Sequence, residues 1–244
     1  MTYTVIARCP RTGRVGIGIA TYSITVGRYC TGVKANTGVT ITQAFPREGN
    51  NYLALNLLGQ GCSAARVLEE LCADDPDYDW RQIGIVDREG NAVAHTGPGV
   101  RGWCGHETGP GWVAFGNGLM GPEVVTAIAS GFNADPEADL EERLLRGIEA
   151  GRDAGGQGTR QRPKTERSAA LIVYSDFDYC DIDLRVDLHE RAVDELRRAY
   201  AVYQPYRAYY RDRGKNPKDA VPQDVFVASL EAAQGTQTGA KVQA

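Results

Sequence analysis

Strand-like residues begin at position 2. TYTVIARC (2–9) and VGIGIATY (15–22) predict two strands. PRTGR joins them, and its Pro10 and Gly13 suit a tight turn, so the pair predicts a hairpin. Residues 30–35 and 38–44 predict a second pair around Asn36-Thr37-Gly38, with VTITQAF alternating as a half-buried strand does. The period then changes. A helix is expected over about 51–59, and another behind Ser63 as N-cap, with Val67, Leu68 and Leu71 on one face.

The same alternation of strand pairs and helix pairs repeats downstream. RQIGIVD (81–87) and NAVAHT (91–96) flank a turn at Arg88-Glu89-Gly90, and GWVAFGN (111–117) reads as a further strand. Helices are expected at 121–131 and 138–151, the second with Leu140, Leu144, Leu145 and Ile148 at helical spacing. SAALIVY (168–174) predicts a buried strand and DIDLRVD (181–187) an edge strand. A helix begins near His189, and Pro205 should break or kink it. The small, polar segment 231–244 is expected to be a disordered tail. Antiparallel strand runs separated by paired helices predict an α+β layered fold in one domain over 1–230, not a doubly wound parallel sheet.

Composition narrows the class. The 244 residues are 42% hydrophobic and 24% charged, ordinary for a soluble globular chain. A formal net charge of −4 argues against a nucleic-acid partner or binding to an anionic membrane surface, since both rest on basic patches. No apolar run is long enough to span a bilayer, and no apolar signal segment opens the chain. Six cysteines are spread singly with no Cys-x-x-Cys pair, which points to reduced thiols and a cytoplasmic setting.

Candidate chemistry starts at Thr2. If Met1 is removed, Thr2 carries a hydroxyl and a free α-amine on one residue. An α-amine with an ordinary pKa near 8 accepts the hydroxyl proton close to neutral pH, so such a threonine serves as a nucleophile with its own amine as base. The bland alternative is that threonine simply favours strands.

The chain resembles the bacterial and archaeal domain of unknown function 1028 family, placed among the Ntn-hydrolase-like (N-terminal nucleophile) proteins. The resemblance runs from residue 2 to about 187. It rests on TYTVIARCPRTGRVGIGIAT, GVTITQAF, SAARVLEELCADDP, RQIGIVDREGNAVAHTG, WCGHETGPGW, GNGLMGPEVV and SAALIVY, in that order. It implies a four-layer αββα sandwich of two antiparallel sheets, with Thr2 at the nucleophile position, and supplies no substrate. This chain departs from the common pattern in reading FPREGNN after Gln43-Ala44, where Asn-Pro is frequent, and in carrying Arg167 before Ser-Ala-Ala, where Gln is frequent.

Nucleophilic attack on a carbonyl needs a donor for the developing oxyanion. Asn117, in FGNGLMGPEVV, offers its amide, with neighbouring backbone N–H groups as alternatives; Gly-Asn-Gly also makes an ordinary turn before a helix starting at Pro122. Thr42 and Gln43 are polar where an inner strand prefers apolar residues, and are candidates for binding substrate or for satisfying backbone groups. Ser23, just past the second strand, is a candidate partner for the α-amine or a cap. Arg8 shares a sheet face with Thr2 but lies roughly 20 Å away along the strand. His95 and His106 lack metal-ligand spacing and read as structural histidines. Asp176, Asp178, Asp181, Asp183 and Asp187 read as charge protecting an edge strand. GGQGTRQRPKTER (155–167) reads as a flexible loop. Tyr200, Tyr203, Tyr206, Tyr209 and Tyr210 give the last helix an aromatic face suited to a homo-oligomer contact or to its own core.

The functional expectation is an amidohydrolase that cleaves the C–N bond of a small amide or cyclic imide-like substrate, with Thr2 and Asn117 catalytic and no cofactor or metal. The alternative is a non-catalytic ligand-binding or assembly protein on the same fold. A metal-dependent hydrolase built on His95 and His106 ranks last.

Overall fold

A computed structural model describes the backbone of residues 1–175 and 179–240 and the side chains up to 233. The strands are β1 (Thr2–Arg8), β2 (Val15–Thr21), β3 (Thr31–Lys34), β4 (Gly38–Ala44), β5 (Arg81–Asp87), β6 (Ala92–Thr96), β7 (Trp103–Gly109), β8 (Trp112–Leu119), β9 (Gln157–Thr159), β10 (Arg162–Lys164), β11 (Ser168–Tyr174) and β12 (Cys180–Val186). The helices are α1 (Val26–Tyr29), α2 (Glu48–Gly59), α3 (Ala64–Asp74), α4 (Pro122–Asn133), α5 (Leu140–Asp153), α6 (Ala192–Lys215) and α7 (Gln223–Ala240). The chain divides into two compact units, Met1–Ala199 and Tyr200–Ala244, where the sequence pattern pointed to one domain over 1–230. The division falls inside α6, so no change in composition marks it.

The first unit is α+β, with two antiparallel sheets. One has eight strands in the order β10-β9-β8-β1-β2-β11-β12, with β7 also on β8; the other runs β3-β4-β5-β6. Their facing sides share a core: Ile6, Ile17, Ile19 and Phe115 of the larger sheet with Val39, Ile41 and Val86 of the smaller. A second core joins Ala54 and Leu58 of α2, Val67 and Leu71 of α3, and Ile83 and Ile85 of β5. Helices α4 and α5 pack on β1, β2 and β8. β1 is therefore buried on both faces: Tyr3 and Val5 lie against Gly151 and Gly147 of α5, while Thr4 and Ile6 face the smaller sheet.

Local signals act as expected in several places. The Ser63 hydroxyl caps α3 by accepting the Arg66 N–H at 3.3 Å, and Pro122 opens α4. Pro205 does not end α6, which continues to Lys215; one lost backbone hydrogen bond is outweighed by the good helix formers on either side. One strand and a hairpin went unread. WCGHETG forms β7, its alternation hidden by two glycines, and the Gly-rich 155–167 segment folds as the β9–β10 hairpin instead of a loop.

The second unit holds most of the tyrosine-rich helix. Tyr209 stacks on Phe226 of α7 at 4.0 Å and 3°, and its hydroxyl donates to the Val221 carbonyl at 3.0 Å. Tyr206 meets the edge of the same ring. The α7 helix runs past residue 231 to Ala240, where a structureless tail was expected. Residues 241–244 lie outside the described residues. No helix among the described residues is long and apolar enough to cross a membrane.

Candidate active site at the start of the first strand

β1 sits between two strands, so the first residue of β1 has a neighbour on each side. Thr2 pairs with Thr21 at the end of β2 and with Asn117 near the end of β8. The Thr2 hydroxyl lies 3.1 Å from that of Thr21. Thr21 donates its single proton to the Met1 carbonyl oxygen at 2.5 Å, so Thr2 must be the donor in the Thr2–Thr21 bond. Thr21 also accepts the Ser23 N–H at 3.3 Å. With Met1 attached, Thr2 is buried and its nitrogen is a peptide nitrogen. The Met1 side chain rests on Gly118, a position at φ +60° where a side chain would be both strained and in collision with Met1. Burial lowers the Met1 α-amine below its ordinary pKa, against a smaller opposite effect of the Cys30 thiol. Burial pushes that thiol up to about 12, so it stays protonated.

Beneath Thr2, a chain of buried polar side chains crosses from one sheet to the other. Thr4 donates to Gln43 Oε1 at 2.7 Å, and Gln43 Nε2 donates to Gln82 Oε1 at 2.8 Å. Asn117 Nδ2 donates to the same Gln82 oxygen at 3.1 Å. Gln82 Nε2 faces the Gly116 carbonyl at 2.8 Å, Thr96 Oγ1 at 3.0 Å and the Gly105 carbonyl at 3.2 Å. Thr96 in turn meets His106 Nδ1 at 2.9 Å. With Gln82 fixed by partners on both ends, the Asn117 amide turns its nitrogen inward and has one further N–H to give.

The site residues proposed from sequence separate into two groups. Thr2 and Asn117 are cross-strand neighbours on the face between the sheets, with Gln43 below them through Thr4. Gln43 is fully buried with both ends of its amide engaged, so it supports the cluster and does not reach a ligand. Thr42 points the other way: its hydroxyl donates to Asn51 Oδ1 of α2 at 3.1 Å. Ser23 is exposed, and its carbonyl accepts the Ser168 hydroxyl at 3.0 Å; Thr21 occupies the place imagined for it. Thr21, Thr4 and Gln82 went unrecognised. Strand register alone would have exposed Thr21, as the residue facing Thr2 in a regular 2–8/15–21 hairpin.

The remaining candidates fall elsewhere. His95 stacks on Tyr78 at 3.9 Å and meets the Tyr78 carbonyl at 3.2 Å, and burial lowers the pKa of both His95 and His106. Asp181 pairs with Arg14 at 2.7 Å and Asp183 with Arg185 at 2.6 Å, while Asp176 and Asp178 lie outside the described residues. Arg8 lines a 340 Å³ hollow with Asn36, Arg88 and Glu89. A 350 Å³ cleft lined by Arg28, Glu48, Asn51, Asp183 and Arg185, among others, does not include Thr2.

Fold and site together define an α+β protein of two antiparallel sheets with a polar cluster at the buried head of a central strand. The chain belongs to the family of unknown function DUF1028, which matches residues 2–196. A crystal structure of protein SPO2555 from Silicibacter pomeroyi, also of DUF1028, is 27% identical with a TM-score of 0.75, covering 83% of this chain and 88% of that one. Anbu (ancestral beta-subunit) from Yersinia bercovieri aligns at 11% identity and a TM-score of 0.39, over 84% of this chain and 95% of that one. No curated protein matches.

Proposed function

We propose that the chain is an N-terminal nucleophile amidohydrolase on a four-layer αββα, Ntn-hydrolase-like sandwich, acting on a small amide or cyclic imide-like substrate once Met1 is removed. The observation that carries this reading is the placement of the Thr2 hydroxyl. It lies at the end of a central strand, 3.1 Å from the Thr21 hydroxyl and across the strand pair from the Asn117 amide.

Removal of Met1 frees the Thr2 amine and vacates the space over Gly118. The Thr2 amine takes the hydroxyl proton as Oγ1 attacks the substrate carbonyl carbon. Asn117 Nδ2 donates its remaining N–H to the oxyanion. The C–N bond breaks as the Thr2 ammonium returns the proton to the leaving nitrogen. Water, deprotonated by the same amine, then hydrolyses the acyl ester to a carboxylic acid and restores the hydroxyl.

Two measurements test the reading together. Intact mass of the protein from its native host is expected to lack Met1. The Met1-free protein is expected to release amine from simple amides, with Thr2→Ala inactive and Thr2→Ser active. Retained Met1, or turnover unaffected by Thr2→Ala, would sink it. Ligand binding without catalysis is the second reading, favoured by the 350 Å³ cleft that lies apart from Thr2; it predicts ligand affinity indifferent to Thr2→Ala.

A further inference from the structure

The end of the sandwich that carries Thr2 also carries an exposed aromatic pair under an arginine. Phe45 and Trp80 are 40% and 41% exposed and meet edge to face at 5.6 Å. Isolated exposed aromatics are ordinary on a protein surface. Here the Arg101 guanidinium stands over both rings, 5.5 Å from Phe45 and 5.8 Å from Trp80. Among the described residues, no carboxylate pairs with Arg101, although acidic partners hold most arginines of the first unit. An arginine stacked on aromatic faces keeps the edge of its fork free to take a carboxylate in two parallel bonds.

Two lines of contact place this group beside Thr2. Along the strands, Thr4 is bonded to Gln43; Thr2 lies two residues beyond it on β1, and Phe45 two residues beyond Gln43 at the exit of β4. Thr2 is therefore roughly 7 Å farther along β1, while the chain turns at Ala44, φ +73°, before it reaches Phe45. Through the loops, Gly102, next to Arg101, is packed on the Gly118 backbone, and Gly118 carries the Met1 side chain. The segment is built to hold its place. The Gly97 N–H donates to the Arg81 carbonyl at 3.0 Å, the Gly99 N–H to the Asp79 carbonyl at 2.8 Å, and Arg81 holds the Phe45 carbonyl at 2.6 Å. Asp75, bonded to Arg81 Nε at 2.9 Å, fixes the other side of that guanidinium.

We propose that Arg101, standing on Phe45 and Trp80, binds a carboxylate of the substrate, so that the amide taken at Thr2 is anionic, of the N-acyl amino acid class. This rests on the reading of Thr2 as nucleophile and names the substrate class it acts on. The arginine sets specificity and takes no part in proton transfer.

Binding and turnover are tested separately. The probes are N-acetyl-phenylalanine and its uncharged carboxamide, titrated calorimetrically into Met1-free protein. Wild type is expected to bind the carboxylate at least about tenfold more tightly, the scale of one charge-assisted contact. In Arg101→Met the ratio of the two affinities falls toward one, and Arg101→Lys, which keeps charge without the fork, lies between. A circular dichroism melt of each variant shows that it is folded. Equal affinity for the two probes in wild type, binding of neither, or a preference untouched by Arg101→Met overturns the proposal. A carboxylate preference that depends on Arg101, without any amine release, supports this site and instead overturns the hydrolase reading.

Discussion

The Thr21 hydroxyl stands 3.1 Å from the Thr2 hydroxyl and donates to the Met1 carbonyl oxygen at 2.5 Å. Among the described residues it is the one side chain bonded both to the proposed nucleophile and to the group attached to its nitrogen. Loss of Met1 frees the Thr21 proton and places the hydroxyl beside a new amine. In the proposed mechanism Thr21 then orients the amine that receives the Thr2 proton.

Thr21→Val keeps the shape of the side chain and removes its contacts with Thr2, with the group on the Thr2 nitrogen and with the Ser23 N–H. In Met1-free protein, kcat on an amide substrate is expected to fall about tenfold or more, the worth of one or two hydrogen bonds near a charged group. KM should change little, and Thr21→Ser should restore most of the rate. The acid limb of the pH–rate profile should also move, because Thr21 faces the titrating amine. Unchanged kcat with an unchanged profile would confine Thr21 to packing.

Gln82 is the hub beneath the site. Its oxygen takes hydrogen bonds from Gln43 and Asn117, and its nitrogen serves the Gly116 carbonyl, all without solvent access. Gln82→Leu keeps the bulk and strands at least two donors and one acceptor. Each unsatisfied buried group costs about 1–3 kcal/mol, so a loss of roughly 3 kcal/mol or more is expected in urea unfolding. Wild-type stability in this variant would mean that the ladder is not closed.

Strand and helix order was legible because each element repeats its own period, and Thr2 was a candidate because the proposed chemistry depends on position in the chain. The support beneath it was not. In RQIGIVD, the apolar Ile83 and Ile85 mark the face packed on α2 and α3, so Gln82 looks like the solvent-facing half of the alternation. It instead faces the larger sheet, between two layers that alternation in one strand cannot reveal. Thr42 failed for the same reason in reverse: its register puts it on the helix side, with Asn51. The platform under Arg101 joins residues 45, 80 and 101, which no local pattern connects.

Gly97 keeps the Arg101 segment close to the Tyr78–Trp80 turn. A Cβ at this position would lie 2.2 Å from the Asp79 carbonyl oxygen, a backbone atom that cannot swing aside. Gly97→Ala is expected to cost about 1–3 kcal/mol of stability, as overpacking does, and to weaken the carboxylate preference assigned to Arg101. Thermal melts and the same pair of probes measure both effects. An undisturbed melt would show that the loop yields freely.

Acid sensitivity follows from Asp75. Burial opposes its ionisation, but hydrogen bonds from Arg81, Asn50 and the Asp77 N–H outweigh burial and hold the carboxyl at about 2, below its ordinary 3.8. The native state therefore binds its proton less readily than the unfolded chain. The resulting stability is complete above pH 4 and is lost as pH falls toward 2. The shift corresponds to about 2 kcal/mol. Asp75→Asn removes this dependence and unpairs the guanidinium that holds the Phe45 carbonyl. Urea unfolding of wild type and Asp75→Asn from pH 7 to 2 should show the variant less stable at pH 7, with the gap narrowing by about 2 kcal/mol at the acid end. Other paired carboxylates, Glu142 with Arg197 and Arg146 among them, contribute equally to both curves, so only the difference reports on Asp75. A gap constant with pH would mean that Asp75 titrates like an ordinary surface carboxylate.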